Sequence, residues 1–364
     1  MRRKRAASGF FAAAAVILLY FILFPHPLGM ELVAHPAWAV NLPPAGSLPL
    51  GGRSADPGGE AGRAAAFHLG ELFGFVDPSG RLLHAERALF RVALSERGFV
   101  NYTRIGSDWV LRDPGGERLF SFAGRGYPLA SADGNRVFVV KTDLTGLQEL
   151  DGNGEVLWSR DFPSMLASVS VEGKHLLAGL LDGSLELVDA TGAAVFTYVP
   201  AGSRIPVILA AAAAPDGSHL AGVSGIDRQW LTVLGRKGAS YAEVSRTVLP
   251  AEFRRELRLA FSPDSRYLVL EGDGMAGLYD PASRRLSWIP LGGALAGVSF
   301  LGKGRAAALL AGAGSDWRLT IAAPPESVLC GQSFRGKAAF VGSLDGQILL
   351  AVDGRLLRVD VEAM

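Results

Sequence analysis

The sequence predicts an all-β fold built from repeated four-stranded sheets, and three observations support this class. Apolar strands joined by tight turns recur with a period near 41 residues from about residue 66 onward. Aspartate, proline and glycine occupy the turns, where they fit the geometry of tight hairpins. A helical period of apolar residues is missing after residue 25, which argues against a mixed α/β fold.

Two kinds of hairpin alternate within the repeat. The first kind has turn aspartates 36, 38 and 38 residues apart, at Asp77, Asp113, Asp151 and Asp189. The second kind has turns near Arg97, Asp133, Glu172, Asp216, Asp264, Gly302 and Asp345. Two hairpins in about 41 residues make four strands, which is the size of one β-propeller blade.

The number of blades depends on how the two ends of the repeat combine. The hairpin at Asp77 has no partner hairpin before it, and the hairpin at Asp345 is followed by a single strand. If these halves share a blade, the ring closes and leaves no open sheet edge. We therefore predict a seven-bladed β-propeller. Eight blades are the alternative, if the last strand joins residues 66–90 in a separate incomplete blade.

The N-terminal segment has the features of a membrane anchor. The basic cap MRRKR precedes an apolar run from Ala6 to Phe24, which is long enough to form a transmembrane helix. The positive-inside rule then keeps the N-terminus in the cytoplasm. The sequence thus predicts a single-pass protein of the cytoplasmic (inner) membrane, with the propeller on the periplasmic side. The alternative is a signal peptide cleaved at Ala37-Trp38-Ala39.

The predicted domain organisation has three parts. Residues 1–25 form the basic cap and the anchor. Residues 26–65 form a linker, because they are rich in proline and glycine and have no hydrophobic period. Residues 66–364 form the propeller.

Composition excludes several classes of protein. Hydrophobic residues make up 49% and charged residues 20%, so the chain can bury a large core. The net charge of +1 argues against a general nucleic-acid-binding protein. The single cysteine, Cys330, excludes an intramolecular disulfide framework and a multi-cysteine metal site.

Two groups of segments resemble known propeller repeats. FSPDSRYLVLEG and APDGSHLAGVSG are similar to WD-repeat-like strands, whereas LDGSLELVDATGAAVFTY and ELDGNGEVLWSRDF resemble quinoprotein-like repeats. The quinoprotein-like group includes cofactor-free scaffolds, such as the propeller subunit of the outer-membrane barrel assembly machinery. The resemblance implies a fold more than a function, because propellers host many unrelated activities.

The resemblance does not extend to a quinone site. Members that bind the quinone use a calcium site and usually a disulfide of adjacent cysteines, which a chain with one cysteine cannot form. The tryptophan of the docking repeat is present as Trp158 and again at Trp288, while His84 and phenylalanines take its place elsewhere. Large aromatic residues at this position are expected to pack between blades. We therefore expect no cofactor and no metal.

Seven aspartates are the main candidates for a binding surface. Each lies in or beside the turn from the second to the third strand of a repeat: Asp108, Asp143, Asp182, Asp227, Asp273, Asp316 and Asp353. In a closed propeller these turns share one face, so the carboxylates could form an acidic ring that steers a partner. Ordinary turn chemistry is the alternative, because aspartate accepts hydrogen bonds from its own backbone.

Aromatic and basic residues beside these turns extend the predicted partner-binding face. They are Trp109, Arg228, Trp230 and Trp317. Tryptophan and arginine are common interface hot spots, although the tryptophans could instead pack between blades. The fifth repeat is longer than its neighbours, and its residues 236–256 form a candidate loop. The candidates within it are Tyr241, Arg246, Phe253, Arg254 and Arg255.

No catalytic motif emerges, since the sequence has neither a Gly-x-Ser-x-Gly elbow nor a phosphate loop. We therefore expect a membrane-anchored, non-catalytic scaffold that binds an envelope or membrane protein. One alternative is a propeller enzyme, such as a quinone-dependent dehydrogenase, a hydrolase or a lyase. The other is a ligand sensor that signals through the anchor.

Overall fold

The computed structural model describes residues 32–48, 64–104 and 106–363. The chain divides into two compact units, Met1–Val33 with Glu362–Met364, and Ala34–Val361. The second unit contains nearly all of the described residues. Apart from one 3-10 turn at Ala45–Ser47, every regular element in the described residues is a β-strand.

The strands form eight sheets, or blades, arranged along the chain. Blade 1 has three strands: β2 (Ala65–Leu69), β3 (Leu72–Val76) and β4 (Leu82–Arg87). Blade 2 comprises β5 (Arg91–Ser95), β6 (Gly98–Tyr102), β7 (Ser107–Arg112) and β8 (Arg118–Arg125). Blade 3 comprises β9 (Tyr127–Ala130), β10 (Val137–Val140), β11 (Gly146–Leu150) and β12 (Val156–Asp161). Blade 4 comprises β13 (Leu166–Glu172), β14 (His175–Leu180), β15 (Leu185–Val188) and β16 (Ala194–Tyr198).

The second half of the chain continues this pattern. Blade 5 comprises β17 (Ile208–Ala213), β18 (His219–Ser224), β19 (Trp230–Lys237) and β20 (Ser240–Val248). Blade 6 comprises β21 (Leu259–Phe261), β22 (Leu268–Glu271), β23 (Met275–Asp280) and β24 (Arg285–Pro290). Blade 7 comprises β25 (Ala294–Leu301), β26 (Ala306–Ala313), β27 (Asp316–Ala323) and β28 (Ser327–Arg335). Blade 8 combines β29 (Ala339–Leu344), β30 (Gln347–Val352) and β31 (Arg355–Ala363) with β1 (Leu32–Asn41).

The prediction of seven blades is wrong, because the two end segments do not share a blade. The strands around Asp77 form blade 1 together with β2, through a tight β2–β3 turn at Gly70 and Glu71. The strand after the Asp345 hairpin, β31, stays with β29 and β30 and pairs with β1. Blade 1 is thus an incomplete eighth blade, although the last strand does not join it as the alternative supposed.

β1 contributes to the joint between blades 8 and 1, and it lies within the range 26–65 that the sequence assigned to a linker. Its neighbour in blade 8 is β31, and Leu42 N–H donates to Gly354 O at 2.7 Å just beyond it. The Trp38 indole N–H donates to Pro78 O at 3.0 Å. Trp38 therefore joins the outer strand of blade 8 to the β3–β4 turn of blade 1. Residues 26–31 and 49–63 of that range lie outside the described residues.

The predicted transmembrane helix at Ala6–Phe24 also lies outside the described residues. Within residues 32–48, 64–104 and 106–363, no helix is long and apolar enough to cross a membrane. The prediction of an N-terminal membrane anchor, and with it of a single-pass inner-membrane protein with a periplasmic propeller, has no support in the described part of the chain and is not retained. What the structure supports is the eight-bladed propeller.

Apolar side chains from neighbouring blades share common cores. Phe138 and Leu147 of blade 3 pack with Leu176 of blade 4, and similar clusters lie between other neighbours. Trp158 lies against Gly192 in the next blade, where an added Cβ would come within 2.7 Å of the indole ring. The segment DGNGEVLW thus supplies an aromatic residue that packs between two blades.

The antiparallel order places two sets of loops at opposite ends of the blades. Turns between second and third strands lie at one end with the connections between blades, which we call the connection face. Hydrogen bonds join these segments, as from Phe162 N–H to Thr145 O at 2.8 Å. The turns between first and second strands, and between third and fourth strands, lie at the other end, which we call the hairpin face.

Candidate functional site

The connection face contains all seven predicted aspartates. Each lies between the second and third strands of its blade, or within the first two residues of the third strand: Asp108, Asp143, Asp182, Asp227, Asp273, Asp316 and Asp353. The topology therefore brings these residues to one face. Their role in binding a partner stays a prediction.

Several of the carboxylates are engaged within their own loops. Asp143 accepts from Thr145 N–H at 3.0 Å, and Asp182 accepts from Ser184 N–H at 2.9 Å. The Thr145 hydrogen bond lowers the pKa of Asp143 below its usual value. These contacts are ordinary turn chemistry, which holds the loop whether or not a partner binds.

Two other members of the ring are paired with arginines. Asp227 contacts Arg204 at 3.2 Å, and Asp316 contacts Arg335 at 3.1 Å. A hydrogen bond from the Ser203 hydroxyl holds the pKa of Asp227 well below its usual range, and Arg204 adds to this effect. Because cations lie among the carboxylates, the ring is a weaker source of negative potential than the sequence pattern implies.

The three predicted tryptophans differ in their surroundings. Trp109 is only 3% exposed and stacks on Phe122 of the same blade with ring centroids 5.0 Å apart. Its core cluster also contains Val139 of blade 3, so it belongs to the packing between blades. Trp317 and Trp230 are half-buried, and their indole N–H groups donate to Gly336 O at 2.9 Å and to Gly202 O at 3.1 Å.

Trp230 has arginines beside its ring. The guanidinium of Arg228 lies 5.0 Å from the ring centroid and that of Arg246 lies 5.5 Å from it. Such cation–π contacts hold arginine side chains in place while leaving their N–H groups available. The structure therefore brings together Arg228, Trp230 and Arg246, which the sequence placed in two separate candidate groups.

Within the candidate loop at residues 236–256, residues 240–248 form the long strand β20. The Tyr241 hydroxyl donates to Gly217 O at 2.7 Å. The backbone N–H and O of Phe253 are both bonded by the Gln229 side chain. Arg255 forms an ion pair with the buried Glu271 at 2.5 Å, whereas Arg254 is exposed. These contacts thus fix parts of the segment against blades 5 and 6.

Sequence reasoning missed the exposed apolar side chains of the connection face. Thirteen large hydrophobic side chains are exposed in the described residues, and seven of them lie at this face: Leu89, Phe90, Met165, Leu181, Val199, Ile205 and Val248. Most belong to connections between blades. Apolar residues within these connections, as in SMLA and SRIPV, were the available signal.

Three of these residues, Met165, Leu181 and Ile205, form what we call the apolar patch. Leu181 N–H donates to Met165 O at 2.9 Å. An added Cβ on Gly183, two residues after Leu181, would lie 2.6 Å from Pro206, which follows Ile205. Side chains of 39%, 42% and 52% exposure are therefore gathered where blades 4 and 5 meet.

A cavity of about 680 Å³ lies inside the ring, against the innermost strands of blades 4 to 7. Its charged lining includes Glu172, Arg255, Arg258 and Glu271. Burial, and then the nearby charge of Asp133, raises the pKa of Glu172 to about 7. No group of three or more histidine, cysteine, aspartate or glutamate side chains in the described residues could hold a metal ion.

Replacing Glu172 by glutamine is expected to stabilise the protein above pH 7. The pKa of Glu172 lies above its usual value of 4.5, so the folded state binds the proton more tightly than the unfolded chain does. Stability therefore falls as pH rises between these two values. Glutamine removes that loss. We therefore expect the free energy of unfolding of the variant to exceed that of wild type by about 1–2 kcal/mol at pH 8, after allowing for solvent screening.

Urea denaturation at pH 4 and pH 8 tests this expectation. At pH 4 the wild type and the variant should agree, because Glu172 is then protonated in both states. Glu117→Gln changes an exposed carboxylate and serves as the control. If the difference in unfolding free energy between Glu172→Gln and wild type were the same at pH 8 as at pH 4, the raised pKa would be contradicted.

Comparisons with known proteins agree with this architecture. A family model described as β-propeller protein matches residues 1–364, so the chain belongs to that family. A protein from Treponema pallidum (strain Nichols), named only as uncharacterized, is 25% identical over 232 residues. The matched region covers 64% of this chain and 61% of the length of that relative.

Two solved structures share the fold. BamB from Moraxella catarrhalis has a TM-score of 0.58 at 15% identity, over 90% of this chain and 98% of that one. The β-propeller domain of Cps50 (Swd1) from Myceliophteria thermophila has a TM-score of 0.51 at 13% identity, over 74% and 95%. Together with the family match, these similarities confirm the predicted resemblance to quinoprotein-like and WD-repeat-like propellers. At such identities they show the fold alone.

Proposed function

We propose that this β-propeller protein is a non-catalytic scaffold that binds another protein through its connection face. One observation carries the proposal. The apolar patch, Met165, Leu181 and Ile205, exposes large side chains that a folded protein would otherwise bury. Contiguous exposed apolar residues rimmed by polar groups are typical of protein-binding surfaces.

The surroundings of the patch support the same conclusion. Arg204 lies next to Ile205 in the chain, and its side chain is 91% exposed. Trp230 is bonded to Gly202 in the same connection and has Arg228 and Arg246 beside its ring. An apolar centre bordered by arginine and tryptophan is the composition expected of an interface hot spot.

Rigid blades explain how such a surface could act without chemistry of its own. The connections that carry the patch are short and are bonded to neighbouring turns, as from Ile226 N–H to Ile205 O at 3.0 Å. A preorganised surface loses little conformational entropy when a partner binds. The scaffold interpretation therefore requires only that the connection face stay fixed and exposed.

A paired substitution tests the proposal in the full-length chain. Leu181→Glu with Ile205→Glu puts two charges into the patch. The tagged protein, purified from its own host, should then lose a near-equimolar partner polypeptide by at least about tenfold, because charges at an interface core are costly to desolvate. Quantitative mass spectrometry of the purified material measures the partner.

The control changes equally exposed apolar residues elsewhere. Leu119→Glu with Val195→Glu alters side chains that are 51% and 53% exposed on the outer strands of blades 2 and 4. This variant should keep the partner. Absence of any near-equimolar polypeptide from the wild type, or equal retention by both variants, would contradict the proposal. A retained quinone or metal without a protein partner would favour the enzyme alternative.

A further inference from the structure

The charges of the hairpin face are divided between opposite sides of the ring. The turns of blades 2 and 3 hold six carboxylates, Glu96, Asp113, Glu117, Asp133, Asp151 and Glu155, against the cations Arg97 and Arg136. The turns of blades 6 and 7 hold four cations, Arg266, Arg284, Lys303 and Arg305, against the carboxylates Asp264 and Glu326, with Asp280 at the end of the strand before one of these turns. One side of this face is therefore acidic and the other basic.

A groove lies within the basic side, between blades 6 and 7. It encloses about 500 Å³, which is the size of a typical ligand site. Turns from both blades line it, and its lining includes Arg266, Asp280, Pro281, Arg305, Pro324 and Pro325. We call these six residues the blade 6–7 groove.

The two arginines of the groove have no carboxylate partner in the described part of the chain. Arg266 takes part in hydrogen bonds through its backbone N–H, and its guanidinium forms no ion pair with any described residue. The Arg305 guanidinium likewise forms none within the described ranges, and its backbone N–H is bonded to Leu301 O at 2.9 Å. Two exposed guanidinium groups thus line one groove with their N–H donors available.

The nearby carboxylates are committed to their own turns. Asp280, within the groove, accepts from Ala282 N–H at 2.9 Å and from the Ser283 hydroxyl at 2.7 Å. Asp264 accepts from the Ser262 hydroxyl at 2.6 Å and from Arg266 N–H at 3.2 Å. These anions reduce the positive potential of the groove but do not occupy its guanidinium donors.

Three prolines make much of the remaining lining apolar, beside His219 and Ser265. Pro281, Pro324 and Pro325 have no backbone N–H and present ring carbons to a ligand. Guanidinium groups suit carboxylates, because their planar N–H forks match the two oxygens. The groove therefore combines available donors for carboxylates with surfaces that favour an aliphatic neighbour.

We propose that the blade 6–7 groove binds an acidic, partly aliphatic peptide segment of a partner protein. Arg266 and Arg305 pair with its carboxylates, and the prolines contact the aliphatic side chains between them. Four cations in three turns of two blades match an extended chain with several carboxylates better than they match one small anion. The proposal rests on the scaffold function but uses the face opposite the apolar patch.

Fluorescence anisotropy with the full-length protein tests this. The probe is a short fluorescein-labelled peptide in which glutamate alternates with leucine, and the matched peptide has glutamine in place of glutamate. The wild type should bind only the glutamate peptide, with an affinity that falls as salt is raised. Arg266→Glu with Arg305→Glu should weaken binding at least about tenfold, as expected for two lost charge-assisted contacts.

The control produces the same change in net charge on the opposite face. Arg335→Glu with Lys337→Glu alters two exposed residues of the connection face and should change the affinity less than about twofold, since it acts only through long-range charge. Equal weakening by both double variants, or no binding by the wild type, would overturn the proposal. Inorganic phosphate bound in an Arg266- and Arg305-dependent way, without the peptide, would show a small-anion site and also overturn it.

The two proposals can fail separately. Loss of the co-purifying partner in Leu181→Glu with Ile205→Glu reports on the apolar patch alone. Peptide binding that survives those substitutions but requires Arg266 and Arg305 reports on the groove alone. A chain that retains its partner at the patch yet never binds the acidic peptide would keep the scaffold function and remove the groove from it.

Discussion

Replacing Glu149 by leucine is expected to destabilise the protein by about 3–5 kcal/mol, because it leaves a buried guanidinium without a partner. Glu149 accepts from Arg136 Nε at 2.7 Å and from the second guanidinium nitrogen at 2.8 Å. It also accepts from the Trp158 indole at 2.7 Å. The Arg136 side chain is only 11% exposed, so water cannot replace the lost carboxylate well.

The position of this cluster explains why the effect should be large. Arg136 reaches the carbonyl of Gly173 in blade 4, and Trp158 packs against Gly192 in the same blade. One carboxylate thus orients two side chains that join blade 3 to blade 4. Its loss should loosen the joint between these blades as well as remove three hydrogen bonds.

Urea denaturation of three variants separates these contributions. Glu155→Leu alters an exposed glutamate in the neighbouring turn and should cost less than about 0.5 kcal/mol. The double variant Arg136→Leu with Glu149→Leu should be more stable than Glu149→Leu alone, since it removes the unpaired charge. If the double variant were less stable than Glu149→Leu, the unpaired guanidinium would not be the cause.

The propeller class could be predicted from the sequence because its turns are short and chemically distinct. The hairpins from Arg97 to Asp345 are the first and second strands of blades 2 to 8, as the period predicts. The turn glycines show why the pattern is regular. Gly192 has φ +83 and lies against the ring of Trp158, so a side chain would be both strained and obstructed there.

The number of blades could not be predicted because it depends on a pairing between distant parts of the chain. β1 contains a proline and alternates poorly, so it has no clear strand signal before its partner β31 is known. The β2–β3 turn at Gly70 and Glu71 lacks the aspartate that marks many of the other turns. Neither β1 nor the β2–β3 turn was predicted, and the position of both segments is determined by closure of the ring.

The candidate site was only partly predictable for a similar reason. Topology alone places the seven aspartates on the connection face, since turns of one type lie at one end of every blade. What each side chain contacts depends on the strands folded around it, so Trp109 is buried whereas Trp230 lies beside two arginines. The apolar patch combines Met165, Leu181 and Ile205 from three loops, which no local pattern in the sequence connects.

Replacing Trp38 by alanine is expected to cost about 2–3 kcal/mol and to act mainly on the rate of unfolding. The residue is half-buried, so its loss costs less than that of a fully buried tryptophan. It removes the indole bond to Pro78 O and the packing on Gly80. These contacts join the outer strand of blade 8 to blade 1, at the joint where the ring closes.

The kinetic part of the expectation follows from the sequence separation of the pairing. β1 and β31 lie at opposite ends of the chain, so their pairing carries a large loop-closure cost and should form late in folding. Contacts formed after the transition state change the unfolding rate and leave the refolding rate almost unaffected. Trp38→Ala should therefore speed unfolding by about 30- to 160-fold, since about 1.4 kcal/mol corresponds to a factor of ten.

Trp158→Ala is the matched control, because it removes the same kind of contact at a joint inside the chain. There the strands on both sides are close in sequence, and β12 leads directly to β13. Part of the loss at Trp158 should therefore appear as slower refolding, which stopped-flow fluorescence in urea can measure. Slower refolding of Trp38→Ala, with an unchanged unfolding rate, would contradict this expectation. It would mean that β1 pairs before the transition state and not after it.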